Sequence, residues 1–197
     1  MFSYLNKILS SSGKKFSKER KVGVLFLGLG ILLIIFALFW NLYQKRRYRF
    51  DIEDVQNLAN LKNELSKPPV FLEIPSLDLK LPVEESQIIK GIWQVSDKGV
   101  SHLNLSANLG DNGNIVIYGH NKKNILGSMR FIKTGSQIYL KDEESKVYKY
   151  RVVENKVVSP KAIEYVLPKE KETLTIYTCT GFADSMRFIV IAEPLKE

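Results

Sequence analysis

The stretch that decides the fold is residues 174–192, which reads LTIYTCTGFADSMRFIVIA. Two runs rich in β-branched and aromatic residues, 174–178 and 187–192, flank a loop of small and turn-forming residues. This pattern predicts two neighbouring β-strands joined by a short connection. Cys179 ends the first strand and Arg187 begins the second. The connection therefore brings both side chains to the same end of a sheet.

Similar β-type runs fill the chain after residue 69. Tyr148, Tyr150 and Val152 alternate with Lys149 and Arg151, which is typical of a strand with one solvated face. Helical candidates are short, at residues 124–132 and 161–166. The predicted strands are residues 70–74, 77–81, 113–118, 137–140, 147–153, 156–158, 174–178 and 187–192. About eight strands in so short a region favour a mainly β barrel or sandwich over a wound α/β sheet.

The 197 residues carry 29 Lys and Arg against 21 Asp and Glu, a formal net charge of +8. With 45% hydrophobic and 25% charged residues, the composition excludes wholesale disorder and collagen-like structure. Residues 1–70 hold 12 basic and 5 acidic residues, whereas residues 71–197 hold 17 and 16. Because the basic excess lies outside the β region, we expect no nucleic-acid partner.

An uncharged run of 23 residues, 22–44, reads VGVLFLGLGILLIIFALFWNLYQ. As a helix it would span roughly 34 Å, enough to cross a bilayer. Trp40 and Tyr43 suit the headgroup level, and the run is longer than the apolar part of a signal peptide. Six cations precede it and four follow closely, which favours a cytoplasmic N-terminus and an extracellular C-terminal domain.

The sequence therefore divides into four predicted parts. A basic cytoplasmic segment, 1–21, precedes a transmembrane signal anchor, 22–44, which contacts the lipid bilayer. A linker, 45–69, contains an amphipathic helix at about residues 50–66, which the Pro68-Pro69 pair ends. The β domain is 70–197. Whether the amphipathic helix is a stalk or packs on the domain stays open.

Cys179 is the only cysteine, so an internal disulfide and a cysteine-based zinc cluster are excluded. A lone thiol in an exported protein is a candidate nucleophile. His120 also ends a predicted strand, after Gly119. A thiolate nucleophile, an imidazole acid and base, and an Arg187 guanidinium that holds an oxyanion would form a catalytic set. Each residue alone also fits a structural role. Free cysteine is often a small buried hydrophobic residue, a histidine at a strand end is often structural, and an arginine that opens a strand is usually on the surface.

Together these residues resemble a known family. Thr175-Ile176-Tyr177-Thr178-Cys179, followed by Arg187, resembles the sortase signature TLxTC and its downstream arginine, with Ile176 in place of the usual leucine. The stretch from Gly99-Val100-Ser101-His102-Leu103 to Gly119-His120 is similar to the sortase segment that ends in the catalytic histidine. Phe71-Leu72-Glu73-Ile74-Pro75, at the start of the domain, resembles the Ile-Pro step with which sortases begin their first strands. The resemblance covers roughly residues 70–194.

The resemblance implies an eight-stranded sortase-like β-barrel that acts as a cysteine transpeptidase. Such an enzyme cleaves an LPxTG-like sorting signal of a secreted protein, holds the acyl part as a thioester and transfers it to an amine of the cell envelope or of a pilin. The resemblance implies that Cys179 is the nucleophile, that His120 is the acid and base, and that Arg187 is the stabilising cation. Thr180-Gly181 stands where many relatives have a proline, and no Asp-Pro lid motif occurs, so the subclass stays open.

Further positions receive weaker expectations. Tyr118, Asn121, Thr178 and Thr180 are candidates to line the substrate groove or to orient the catalytic set. His102 is expected to lie outside that set. The acidic residues Glu84-Glu85 and Asp142-Glu143-Glu144 could bind calcium, as in some sortases, but such acidic segments are usually solvated loops. We expect neither a metal nor a cofactor, and calcium dependence stays open.

Two alternatives remain beside the transpeptidase. One is a non-enzymatic extracellular binding module with the sortase-like fold. The other is a hydrolytic cysteine peptidase of a different fold, although the order of histidine before cysteine does not fit papain-type enzymes.

Overall fold

The computed structural model describes residues 18–45 and 66–195, and the chain forms two compact units that divide after Gln44. The first unit contains one described helix, α1 (Lys18–Lys45). Its segment Val22–Trp40, 19 residues with a mean hydropathy of 3.0, is long and apolar enough to cross a membrane. The predicted amphipathic helix at residues 50–66 falls, apart from Ser66, outside the described residues.

Residues 66–195 of the second unit form ten β-strands. The strands are β1 (Phe71–Ile74), β2 (Leu79–Ser86), β3 (Ile88–Ile89), β4 (Ile92–Trp93), β5 (Val100–Leu103), β6 (Asn114–Gly119), β7 (Gln137–Lys141), β8 (Val147–Val158), β9 (Thr173–Thr180) and β10 (Met186–Pro194). Eight of them form a closed barrel in the order β1-β2-β5-β6-β9-β10-β8-β7, and the two-stranded hairpin β3–β4 lies outside the barrel sheet. In the barrel, the β2–β5 and β6–β9 pairs are parallel, and the other pairs are antiparallel. The predicted mainly β barrel is confirmed.

Several predicted boundaries are wrong. The strand predicted at 77–81 begins only at Leu79, because Pro75–Leu77 form a 3-10 turn that ends at Asp78 in the left-handed region. The predicted strands do not include β5, whose sequence Val-Ser-His-Leu does not alternate between apolar and polar residues, or the two-residue strands β3 and β4. The predicted strands 147–153 and 156–158 are one strand, β8, whose register shifts opposite Ile191 and Ala192.

The two predicted barrel-domain helices are reduced to 3-10 turns at Met129–Phe131 and Ile163–Tyr165. Residues before the first turn are held in a tight loop, because the amides of Ile125 and Gly127 both donate to the Lys122 carbonyl, at 2.9 and 2.8 Å. These residues therefore form a tight loop instead of the predicted helix.

Two groups of buried apolar residues stabilise the barrel, one for each face of the sheet. Alternating residues of β6 and β9, such as Ile117 and Ile176, fill the interior and are fully buried. The residues between them, including Tyr118 and Tyr177, form a second cluster with Trp93 of β4. Burying each large side chain contributes about 1.5–3 kcal/mol. The second cluster fixes the β3–β4 hairpin on the outside of the barrel.

Gly99, which precedes β5, makes a testable contribution to stability. A Cβ at this position would lie 2.2 Å from the Pro82 carbonyl oxygen of β2, so Gly99→Ala must push the parallel β2 and β5 strands apart. We expect a loss of about 1–3 kcal/mol in the free energy of unfolding, measured by urea titration of the full-length protein in detergent with near-UV circular dichroism. Gly28→Ala in α1 is the control, because a Cβ there meets nothing within 4 Å. Equal midpoints for all three proteins would contradict the packing argument.

Candidate active site

The site begins with the parallel pairing of β6 and β9. Gly119, the last residue of β6, is the register partner of Thr178. The Thr178 hydroxyl donates to the Gly119 carbonyl at 2.8 Å and is buried. His120 follows Gly119 and Cys179 follows Thr178, so the two residues lie at the same end of two adjacent strands. Because side chains alternate along a strand, Cys179 shares a face with Tyr177, and His120 continues the face of Tyr118.

The antiparallel pair β9–β10 adds the third residue. Arg187 is the direct register partner of Cys179, and paired residues project from the same face of a sheet. Both side chains are nearly covered, with 1% of Cys179 and 2% of Arg187 exposed. Burial raises the pKa of Tyr177, which lies on the same face of β9 two residues before Cys179, well above its ordinary value. The thiol and the guanidinium therefore occupy one buried environment.

The loop between β9 and β10 holds the guanidinium of Arg187. Its Nη1 donates to the backbone carbonyls of Asp184 and Met186, both at 3.0 Å. Ala183 and Asp184 adopt positive φ angles of 51° and 59°, a strained backbone that turns the Asp184 carbonyl toward the arginine. These hydrogen bonds offset part of the cost of burying the cation and fix the plane of the guanidinium.

His120 lies next to a carboxylate that no sequence pattern indicates. Its Nε2 is 3.2 Å from Oδ1 of Asp97, a residue whose side chain is 86% exposed. Burial of the imidazole lowers the pKa of His120 below its ordinary value, the positive charge of Lys122 lowers it further, and Asp97 acts in the opposite direction. The neutral imidazole therefore dominates at neutral pH, and Asp97 stabilises the imidazolium when it forms.

An aromatic cluster of Trp93, Tyr118 and Tyr177 packs beneath these groups. The rings of Tyr118 and Tyr177 stack with centroids 5.3 Å apart and an interplanar angle of 12°. Trp93 meets both edge-on, at 5.2 and 6.0 Å, and the Tyr118 hydroxyl donates to the Gln94 carbonyl at 2.6 Å. The cluster thus joins β6, β9 and the β3–β4 hairpin, and it supports the loop that carries Asp97.

Serine hydroxyls fix the Asp97 loop at its other end. Ser101 of β5 accepts from the Ser96 amide at 2.8 Å and from the Ser86 hydroxyl at 2.9 Å. Ser96 in turn accepts from the amides of Lys98 and Gly99 at 3.2 and 3.1 Å. The Ser-Asp-Lys-Gly sequence has ordinary turn composition, so only the tertiary structure shows that Asp97 reaches a histidine.

The weaker candidates occupy different positions. Tyr118 and Thr178 are buried, the first in the aromatic cluster and the second against Gly119. Thr180 is half-buried at the end of β9, and Asn121 is exposed directly after His120. His102 is fully buried, and its Nε2 lies 3.1 Å from the Ser106 hydroxyl and 3.0 Å from the Ala107 carbonyl. His102 is therefore part of the packed interior.

The acidic residues are not all in loops. Glu84 and Glu85 belong to β2, which corrects the loop expectation for that pair. Asp142 is buried at a turn where its Oδ1 accepts from the amides of Glu144 and Lys146, at 2.9 and 3.0 Å, and Lys67 pairs with Glu143 and Glu144. Within residues 18–45 and 66–195, no group of three or more His, Cys, Asp and Glu side chains comes together as a metal site would require.

Comparison with known proteins gives one family. The family described as "Sortase domain" matches residues 72–195. The chain is 28% identical over 132 residues to Sortase D of Bacillus subtilis, which covers 66% of this chain and 64% of that protein. It is 29% identical over 166 residues to Sortase A of Streptococcus agalactiae, covering 76% and 65%. The matched region thus spans slightly less than two thirds of each relative.

The fold agrees with the sequence comparison. A lid mutant of sortase A from Corynebacterium diphtheriae superimposes with a TM-score of 0.56 and 24% identity, covering 68% of this chain and 74% of that one. At this identity the likeness shows the fold alone. The barrel excludes the alternative of a cysteine peptidase with a different fold, and the family match covers most of the barrel domain. The chain belongs to the sortase family.

Proposed function

We propose that this protein is a membrane-anchored cysteine transpeptidase that cleaves an LPxTG-like sorting signal in secreted proteins. Sortases are cysteine transpeptidases that act on sorting-motif proteins and amine acceptors in general. The observation that carries the proposal for this chain is the register of β6, β9 and β10. In this register Cys179 of β9 pairs with Arg187 of β10. On the other side of β9, Thr178 pairs with Gly119 of β6, the residue before His120.

In the first half of the proposed reaction, the Cys179 sulfur attacks the carbonyl carbon of the scissile peptide bond. A C–S bond forms, and the carbonyl oxygen gains the negative charge of a tetrahedral intermediate. Arg187, held in plane by the Asp184 and Met186 carbonyls, stabilises this oxyanion. His120 takes the thiol proton and gives it to the leaving amine as the C–N bond breaks. The product is a thioester on Cys179.

In the second half, an acceptor amine attacks the thioester carbonyl. The new C–N bond forms and the C–S bond breaks, while His120 removes a proton from the amine and returns it to sulfur. The lowered pKa of His120 favours the neutral imidazole that this step needs. Because Cys179 and Arg187 are almost fully covered, binding of the sorting signal must displace neighbouring residues before the first attack.

The membrane part of the proposal rests on α1. Its apolar segment would hold the enzyme at the surface where secreted proteins emerge, with the N-terminus cytoplasmic and the barrel extracellular. The acceptor would be an amine of the cell envelope or of a pilin. The alternative is a non-enzymatic sortase-like binding module, which would use the same surface without forming a covalent intermediate.

The first test measures the chemistry directly. Full-length protein in detergent, given an LPxTG peptide and an amine acceptor, should release the leaving peptide and form the amide product, whereas Cys179→Ala should form neither. Arg187→Lys keeps the charge but loses the planar guanidinium, so we expect kcat to fall about 10²–10³-fold with a smaller change in KM. Arg151→Lys, at an exposed position of β8, is the control. A wild-type protein that binds the peptide without cleaving it would support the binding-module alternative.

The second test concerns the protonation of His120. NMR titration of the imidazole should give a pKa below the ordinary 6.5 of histidine, and Asp97→Asn should lower that pKa further, because the imidazolium loses its neighbouring carboxylate. Glu170→Gln is the control, because it also removes one carboxylate charge. Glu170 precedes the start of β9, whereas Cys179 lies near the end of that strand, so the pKa of His120 should stay unchanged. An unchanged or higher pKa in Asp97→Asn would show that the carboxylate does not act on His120.

The third test concerns topology. Protease added to intact cells should digest the barrel domain or release it from the membrane, while an epitope tag on the N-terminus stays protected until the membrane is opened. The six basic residues before the apolar run 22–44 are the physical reason for this orientation. Protection of the barrel and digestion of the tag would reverse the proposed topology.

A further inference from the structure

A cavity of about 470 Å³ lies in the segment that follows His120. It is lined by Asn121, Lys123, Gly127, Ser128, Arg130 and Phe131. Asn121 is the residue next to His120 in the chain, so the lining of the cavity begins one residue after the proposed acid and base. Nothing in the proposed reaction steps uses these side chains.

The cavity is built on a fixed backbone. The Leu126 amide donates to the His120 carbonyl at 3.1 Å, and the Gly127 amide donates to the Lys122 carbonyl at 2.8 Å. A Cβ at Gly127 would lie 2.7 Å from the same Lys122 oxygen, so glycine is required at this position. Ile125, Leu126 and Met129 anchor the segment in the barrel core. The cavity therefore keeps its position relative to His120.

The chemistry of the lining points to an anion with an apolar part. Lys123 and Arg130 supply two positive charges, and none of the six lining residues is acidic. The Arg130 guanidinium lies 4.8 Å from the centre of the Phe131 ring, which is 64% exposed. A guanidinium beside an exposed ring suits a carboxylate attached to carbon atoms that cover the ring. The Asn121 amide and the Ser128 hydroxyl add neutral hydrogen-bonding groups.

We propose that this cavity binds a carboxylate of the acceptor and so selects amine acceptors that carry one close to the reacting amine. The inference rests on the proposed function. In that reaction the acyl group stays with Cys179 and Arg187, whereas His120 exchanges protons with the amines. The lining of the cavity begins next to His120 and contains neither Cys179 nor Arg187, so we infer that the cavity lies on the side where the amine arrives. Two cations there hold an anionic acceptor with its amine directed at the thioester.

The test uses two acceptors with the same amine. Glycylglycine carries a free carboxylate, and glycylglycinamide replaces it with a neutral amide. With full-length protein in detergent and a fixed LPxTG donor, we expect glycylglycine to react with the higher kcat/KM. In Lys123→Gln/Arg130→Gln, kcat/KM for glycylglycine should fall about fivefold to tenfold, as two partly exposed charge pairs would give, and that for glycylglycinamide should stay the same. Lys161→Gln/Arg151→Gln removes two exposed cations outside the cavity lining and should behave like wild type.

Three results would overturn the proposal. The first is equal reactivity of the two acceptors with wild type, and the second is an equal loss of kcat/KM for both acceptors in Lys123→Gln/Arg130→Gln. The third is a KM for the donor, measured by hydrolysis without acceptor, that is higher in this variant than in wild type, which would assign the cavity to the sorting signal. Backbone amide shifts of residues 121–131 during titration with glycylglycine give a readout that needs no cleavage. If wild type shows these shifts and the cavity variant does not, the site stands even where donor cleavage, and with it the proposed function, fails. Absence of shifts in wild type would contradict the site itself.

Discussion

The parallel pairing of β6 with β9 is the constraint on which the site depends. Gly119 and Thr178 are separated by 59 residues in sequence, yet they are register partners. Their pairing brings the next residues, His120 and Cys179, to the same end of two adjacent strands. The Thr178 hydroxyl ties the two strands at their last shared level, and the stacked rings of Tyr118 and Tyr177 hold the preceding level. A shift of one residue would turn each side chain to the opposite face of the sheet. The catalytic arrangement we propose is thus a consequence of strand register.

The groups around this pairing divide into two sides. On one side, β10 brings Arg187 opposite Cys179, and a strained loop supplies the carbonyls that fix the guanidinium. On the other side, the β3–β4 hairpin and a chain of serine hydroxyls bring Asp97 to His120. The first side suits stabilisation of an oxyanion, and the second suits proton exchange with amines. The aromatic cluster of Trp93, Tyr118 and Tyr177 connects the two sides and couples the hairpin to the barrel.

The sequence predicted local features better than long-range ones. The short loop between residues 174–178 and 187–192 was enough to place Cys179 and Arg187 at the same strand ends, because adjacent strands with a short connection pair directly. His120 is indicated both by its place at the end of a predicted strand and by the resemblance to a family. No local signal reports that β6 pairs with β9, so the sequence alone does not bring that strand end to Cys179. Asp97 was missed because a turn sequence does not show which residue it meets in the folded chain. Eight strands are predicted and the barrel has eight only because two errors compensate: β8 is predicted as two strands, and the fully buried β5 is not predicted. The short β3–β4 hairpin outside the barrel is not predicted either.

The central claim is that Cys179 forms a covalent bond to the acyl part of a sorting signal. Intact-mass measurement of the full-length protein, acid-quenched during turnover of an LPxTG peptide without an acceptor amine, tests it most directly. The account predicts an added mass equal to the peptide's acyl part, located on Cys179 by fragmentation and removed by hydroxylamine as a thioester would be. Peptide cleavage with no adduct on Cys179, or an adduct that persists in Cys179→Ala, would contradict it.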